Sequence, residues 1–252
     1  MRIDILTLFP EMCERVLGES IIGRALKNGL AEVHCHNIRD YTLDKQKRVD
    51  DSPYGGGMGM VMQADPIWRC CTAVEAQGDP APIRRIYLSP QGRPFSQQEA
   101  VELAACPRLL LLCGHYEGVD ERVLEKLEFE EISIGDYVLT GGELPALVLC
   151  DAVLRMQEGV LSDKECYTEE SHYNGLLEYP HYSRPEVWEG MAVPPMLLTG
   201  HHANIAKWRR EKSLERTLDK RPDMLETAPL TAKDKLYLEE YRKKKAASSE
   251  EE

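Results

Sequence analysis

An α/β domain on a mostly parallel sheet, followed by a small helical segment, is the fold class the sequence predicts. Strand-like and helix-like patterns alternate through the first two-thirds of the chain, as they do where crossover helices join parallel strands. Leu109–Cys113 is an unbroken apolar run, the pattern of a strand buried on both faces. Gly/Pro-dense loops follow three of the expected strands, and an open parallel sheet binds ligands beyond those strand ends.

The elements follow in order. Arg2–Leu8 reads as a first strand and not a signal peptide, since an acid interrupts its apolar run and no small-residue cleavage site follows. Ser20–Asn28 reads as a helix closed by Gly29, and Ala31–Asn37 as a strand. Arg39–Gly59 is a long polar loop, and Asp65–Ala76 a helix with Pro66 in its first position. Arg85–Leu88 is a short strand. Ser96-Gln-Gln-Glu99 has the form of a capping box, in which Ser and Glu each satisfy an orphan amide. After the 109–113 strand come a helix over Glu121–Leu127, a strand over Glu131–Ile134 and a helix over Pro145–Met156. From Glu158 to about Trp188 the periodicity disappears, and so long a segment is functional or a linker. Ala203–Leu218 and Thr231–Lys245 read as helices broken at Arg221-Pro222, with a frayed tail over 248–252. The domains expected are 1–160, an interdomain linker over 161–187, and a helical domain over 188–252.

Composition narrows the class. The chain has 252 residues, 42% hydrophobic and 29% charged, ordinary for a soluble globular protein. No apolar stretch is long enough to span a membrane, so a soluble cytoplasmic protein is expected. The net charge of −12 argues against nucleic acid as a partner, but the charge is unevenly spread. Residues 201–221 hold seven Lys/Arg against three acids, enough for a basic face, or for a merely solvated helix. The eight cysteines form no paired knuckle. Cys106, Cys113 and Cys150 sit in or beside apolar runs, as small buried hydrophobes do. His34-Cys35-His36 puts two imidazoles on one strand face, but no third ligand is spaced nearby, so no metal is expected.

Four loops stand out: Asp50–Met60, Leu88–Pro94, Cys113–Asp120 and Ile134–Pro145. Glycines there let a backbone approach a ligand closely, and three loops leaving one sheet edge predict a shared pocket. Gly55-Gly-Gly-Met-Gly lacks the Lys-Ser/Thr of a phosphate-binding loop, and no GxGxxG fingerprint is present. Neither H-E-x-x-H nor a serine nucleophile elbow occurs.

Together these segments resemble a known family. Asp51-x-Pro-Tyr-Gly-Gly-Gly-x-Gly-Met60, Leu88-Ser-Pro-Gln-Gly92, Cys113-Gly-x-Tyr-Glu-Gly-Val-Asp-Glu-Arg122, Ser133-Ile-Gly-Asp-Tyr-Val-Leu-x-Gly-Gly-Glu-Leu-Pro-Ala146 and Pro180-His-Tyr-x-Arg-Pro-Glu186 are similar to the motifs of bacterial tRNA (guanine-N1)-methyltransferases. The resemblance runs from Met1 to about Arg221, and the last helix is less distinctive. It implies a SPOUT-type parallel sheet with a deep trefoil knot, a small helical C-terminal domain and a homodimer with shared active sites. It also implies methyl transfer from S-adenosylmethionine to N1 of guanosine 37 of tRNA, just 3′ of the anticodon. The rival readings are a SPOUT methyltransferase for another RNA nucleotide and a non-catalytic RNA- or adenosine-binding module.

By position in those motifs, the resemblance implies a cofactor cradle of Tyr87, Leu88, Ser89, Pro90, Gly114, Tyr116, Glu117, Gly118, Ile134, Gly135, Asp136, Tyr137, Val138, Leu139, Gly141, Gly142 and Pro145. Glu170, or its neighbour Glu169, stands where the family has its catalytic aspartate, and Arg155 matches an arginine suited to charge developing on the base. Substrate contacts are implied for Gly59, His115 and Glu117, with His115 standing where many relatives carry Arg. Further contacts to tRNA are implied for His181, Tyr182, Arg184, Lys207, Arg209 and Arg210. Mg²⁺ assists the family's reaction, but no carboxylate cage is spaced to hold it, so no protein-held metal site is expected.

Overall fold

The apolar run 109–113 lies in the middle of a five-stranded parallel sheet. The computed structural model of the chain describes residues 1–77 and 80–249. It separates into two compact units, Met1–Asp163 and Lys164–Glu252.

The first unit runs β1 (Arg2–Thr7), α1 (Pro10–Leu17), α2 (Ser20–Lys27), β2 (Glu32–Asn37), β3 (Asp50–Asp51), β4 (Val61–Met62), α3 (Ala64–Glu75), β5 (Ile83–Pro94), α4 (Gln97–Ala104), β6 (Arg108–Cys113), α5 (Glu121–Lys126), β7 (Glu130–Ser133) and α6 (Glu143–Leu154). The sheet order is β2-β1-β6-β5-β7, all parallel, and β3 pairs antiparallel with β4. Every residue of β6 is buried because the sheet is covered on both faces. Leu109, Leu111 and Cys113 point into a core shared with α1, α2, α4 and α6, whereas Leu110 and Leu112 meet α3 and α5.

Several expected elements shift in the structure. α1 stands between the expected strand Arg2–Leu8 and the expected helix Ser20–Asn28, where no element was expected. Pro10 opens it, and Cys13 and Leu17, four apart, are its buried stripe. Pro66 and Pro145 are third, not first, in α3 and α6, where a missing N–H still costs nothing because first-turn amides lack intrahelical partners. The capping box is half made. Ser96 Oγ accepts from the Glu99 amide at 3.2 Å, but the Glu99 carboxylate goes to Arg84 and Arg93 instead. Gly29 does close α2, with φ +69°, donating to Leu26 O while Leu30 N–H reaches Ala25 O. Cys13, Cys70, Cys71, Cys113 and Cys150 are buried, whereas Cys106 is only half-buried. Burial pushes the thiols of Cys70, Cys113 and Cys150 up, and that of Cys71 up to about 12.

β5 departs most from expectation. It leaves its ladder with β7 after Leu88 and rejoins it at Arg93, so Ser89–Gly92 bulge out of the sheet. Gly92 lies so close to β7 that a Cβ there would stand 2.4 Å from the carbonyl carbon of Glu131. An alternating cluster of charges holds the base of the bulge. Arg84 pairs with Glu130 at 2.6 Å and Glu99 at 3.0 Å, and Arg93 pairs with Glu130 at 2.8 Å and with Glu99.

The second unit carries α7 (Glu165–Thr168), a hairpin of β8 (Val187–Trp188) and β9 (Met191–Ala192), α8 (His202–Lys220) and α9 (Ala232–Ser249). Leu176, Leu214 and Leu238 form its small core. Much of the segment without periodicity is therefore ordered, and Leu177 N–H donates to the buried Thr217 hydroxyl of α8 at 2.9 Å. Of the tail expected to fray, residues 250–252 lie outside the described residues. Among the described residues, no helix is long and apolar enough to cross a membrane.

One buried ion cluster sets a stability limit. Asp4, fully buried in β1, accepts from Arg108 at 3.0 Å, Arg2 at 2.8 Å and His36 at 2.9 Å. Burial alone would raise its carboxyl, but the hydrogen bonds from His36, Arg2 and Arg108 together outweigh it and hold the group at about 2, against an ordinary 3.8. Asp4→Asn should cost about 3–5 kcal/mol, because it strands a buried guanidinium. About 2 kcal/mol of the wild-type advantage is proton-linked, present above pH 4 and lost as pH falls toward 2. Urea midpoints of the two proteins measured between pH 6 and pH 2 should therefore converge; a constant gap would contradict the assignment.

Candidate active site

At the bulge of β5 and beyond the carboxyl ends of β6 and β7, three segments enclose an open cavity of about 270 Å³. The β5 bulge supplies one wall, the 114–119 turn a second and the 134–142 segment a third. Of the cradle residues expected from the sequence, Tyr87, Leu88, Ser89, Pro90, Gly114, Tyr116, Glu117, Gly118, Ile134, Gly135, Tyr137, Val138, Leu139, Gly141, Gly142 and Pro145 line this cavity. Asp136 does not; it is exposed. Gln91, Glu121, Glu131 and Thr140 line it without having been anticipated. They flank the glycine motifs but are polar residues of a kind any loop carries.

The walls are set by backbone contact. Gly142 N–H donates to Gly114 O at 2.9 Å, and a Cβ on Gly142 would lie 2.6 Å from Cys113 Cα. Gly114 in turn lies against the Tyr87 ring, whose hydroxyl would be 2.8 Å from a Cβ. Burial pushes the Tyr87 phenol up to about 12, helped by Glu131 and Glu121. It stays neutral, and so remains a donor, through the physiological range. Tyr137, Val138 and Leu139 form an exposed apolar lip.

The glycine-rich loop 50–60 joins the same site. Glu117 N–H donates to Met60 O at 2.9 Å, and Met62 N–H to Gly118 O at 2.9 Å. The Glu117 side chain lies over Gly59, within 2.4 Å of where a Cβ would stand. Gly59, His115 and Glu117, the expected substrate contacts of this unit, are therefore brought together. His115 Nε2 lies 2.8 Å from the carboxylate of Glu143, a buried acid that reading the sequence missed. The helix expected from the sequence begins only at Pro145, which left Glu143 in a polar loop, so nothing local marked it as buried.

Arg155 caps the end of α6 and is half-buried. In the second unit, Glu169 ends α7 and is exposed, whereas Glu170 is half-buried. Arg209 stacks over Tyr179 at 4.8 Å, the Tyr179 and His181 rings are 4.8 Å apart, and Tyr182 faces Trp208 at 6.4 Å. Tyr179 and Trp208 are additions to the expected set. Lys207 and Arg184 are exposed, but Arg210 is committed to Asp234 at 2.9 Å, tying α8 to the start of α9. Among the described residues no group of three or more His, Cys, Asp or Glu is arranged to hold a metal. His36 is bonded to Asp4 and His34 lies 3.4 Å from Glu32.

A family profile described as tRNA (Guanine-1)-methyltransferase TrmD matches residues 1–227. The chain belongs to this family. A tRNA (guanine-N(1)-)-methyltransferase of Ruminiclostridium cellulolyticum is 57% identical over 229 residues, covering 91% of this chain and 98% of the relative. Proteins of the same name from Chloroflexus aurantiacus and Herpetosiphon aurantiacus are 58% and 54% identical, over 90% and 96% of this chain and 89% and 94% of theirs. The residues that form the cavity are thus those of a TrmD-family methyltransferase.

In this TrmD-family site the Gly142 contact is backbone against backbone, so it cannot relax by turning a side chain. Gly142→Ala should cost about 1–3 kcal/mol of stability and part the two loops. Thermal melts and calorimetric binding of adenosine should both report it. Wild-type stability and adenosine affinity in the variant would mean that the loops have slack.

Proposed function

We propose that this protein transfers a methyl group from S-adenosylmethionine to N1 of guanosine 37 in tRNA. The observation that carries the reading is the glycine-walled cavity formed by three loops of the methyltransferase family, with Glu117 folded over Gly59 at its edge. The walls suit an adenosine-sized group: Gly114 and Gly135 leave room where a Cβ would strike Tyr87 or Tyr137, and Leu88, Ile134 and Leu139 offer apolar surface. S-adenosylmethionine when bound supplies an electrophilic methyl. Gly135, Gly141, Gly142, Tyr87 and Pro145 would hold it.

The protein's remaining task is to prepare the guanine. Its N1 must lose a proton as the nitrogen attacks, and negative charge then builds on O6. Glu170 is the proposed base at N1, with Glu169 beside it, and Arg155 the cation at O6. Glu117 accepts from the guanine's donor edge, and Tyr182, Trp208, Arg209 and Lys207 offer stacking and charge to the anticodon loop. Arg210, tied to Asp234, contributes mainly through the shape of the helical unit.

A trefoil threading is part of the same reading. Its support is that the segment after β7 returns past β5 to bridge His115 and Gly141. We also infer a homodimer acting outside the membrane, in the cytoplasm. Phe9 at the start of α1, Met12 and Val16 within it, and Leu144 and Val148 on α6 are exposed apolar residues on two helices that pack together, an arrangement that suits a second copy of the chain.

Labelled methyl transfer to unmodified tRNA, with the modified nucleotide mapped, tests the reaction directly; label at any other nucleotide rejects it. In single-turnover assays Glu170→Gln should slow transfer by about two orders of magnitude, with Glu169→Gln the control. If Glu169→Gln is the slow variant, the base is its neighbour. Mixing Arg155→Ala with Glu170→Gln should restore up to one working site per heterodimer; no recovery would place both groups in one subunit.

A further inference from the structure

We propose that Glu143 is a positioning residue that holds the His115 ring as an Nε2–H donor, leaving Nδ1 as an acceptor for the donor edge of the target guanine. For its substrate this rests on the reading above; for its geometry it does not. Glu143 is the first residue of α6 and only 3% exposed, so its carboxylate needs internal partners. It has two. Thr7 Oγ donates to Oε1 at 2.6 Å, and His115 Nε2 meets Oε2 at 2.8 Å.

An ionised carboxylate only accepts, so the hydrogen between them belongs to Nε2. The partner at one ring nitrogen thereby decides the state of the other. With Nε2 carrying the hydrogen, neutral Nδ1 is a bare acceptor, and it has no hydrogen-bond partner among the described residues. The chain of bonds is continuous and ordered: Phe9 N–H donates to Thr7 Oγ at 2.9 Å, Thr7 donates to Glu143, and His115 donates to Glu143 from the other side.

The ring is also held from its sides. Phe9 lies 5.0 Å from it, Tyr116 meets it edge-on at 6.2 Å, and the His115 amide donates to Met62 Sδ at 3.2 Å. His115 lines the cavity two residues from Glu117. A guanine offers N1–H and an exocyclic amine, both donors, and an acceptor on a fixed ring complements them.

Glu143→Gln separates positioning from mere packing. The amide is nearly the same shape but has one acceptor and one donor. With its oxygen accepting from Thr7, its nitrogen donates to His115 Nε2, and the ring must move its hydrogen to Nδ1. In protein labelled with ¹⁵N-histidine, at a pH where the ring is neutral, wild-type His115 should show the Nε2–H pattern. Its resonances are assigned by their loss in His115→Gln. Glu143→Gln should show Nδ1–H with an unchanged melting temperature, and Glu143→Asp should keep Nε2–H. Guanine methylation by Glu143→Gln should fall about tenfold or more in kcat, with the affinity for the methyl donor unchanged. A wild-type ring protonated on Nδ1 or on both nitrogens overturns the proposal. So does a flipped ring that works at the wild-type rate. Wild-type protein that methylates no tRNA guanine would instead sink the functional reading, and the tautomer, measured without tRNA, would still decide the positioning role.

Discussion

The contact on which the site depends is the one between the Gly141–Gly142 and Cys113–Gly114 backbones. It joins the loop after β7 to the loop after β6 with no side chain between them. Because Gly142 is the N-cap of α6, the same contact fixes where that helix begins, and therefore where Glu143 is buried. Glu143 then reaches Thr7 at the end of β1 and His115 in the turn after β6. Three strand ends are thereby fixed relative to one another within a few ångströms. Separating the loops by the width of one methyl group would disturb all three, and the cavity they line.

A second constraint works from below. The bulge of β5 is the one wall not backed by a helix end, and it is held at its foot by Gly92 against β7 and by the Arg84–Glu130–Arg93–Glu99 cluster. These side chains are only partly exposed and each arginine contacts both acids. Such networks hold geometry better than isolated surface pairs do. The Glu130 carboxyl is drawn down to about 2, chiefly by the Arg84 hydrogen bond, so the cluster stays charged across the physiological range. The tip, Ser89–Gln91, is left to face the cavity, with Ser89 Oγ accepting from the Gln91 amide at 3.1 Å.

Most of the sheet and the lining of the cavity were legible in the sequence, because apolar runs and glycine density are local signals. Leu109–Cys113 could only be a buried strand, and the β5 bulge and the loops after β6 and β7 announced themselves by composition. What was not legible depended on partners distant in the chain. α1 is one short helix whose two buried residues make a weak stripe. Glu99 looked like a cap because its arginines come from another element, and the burial of Glu143 went unread because Thr7 is 136 positions away. Nothing in the sequence near β5 says that the strand resumes after its bulge, since β7, against which it resumes, begins 36 residues after Pro94.

The strand order carries a consequence for synthesis of the chain. β1 lies between β2 and β6, and its pairing with β6 runs Arg2 to Arg108. At a ribosome adding about 5–20 residues per second, roughly 5–20 s separate the appearance of the first strand from that of its central neighbour. During that interval Ile3, Ile5 and Leu6 have β2 along one edge and nothing along the other. A nascent chain in this state carries an apolar strand with an open edge, the kind of surface that recruits other chains. The order of translation thus leaves the apolar edge of β1 without its central neighbour until β6 has been made.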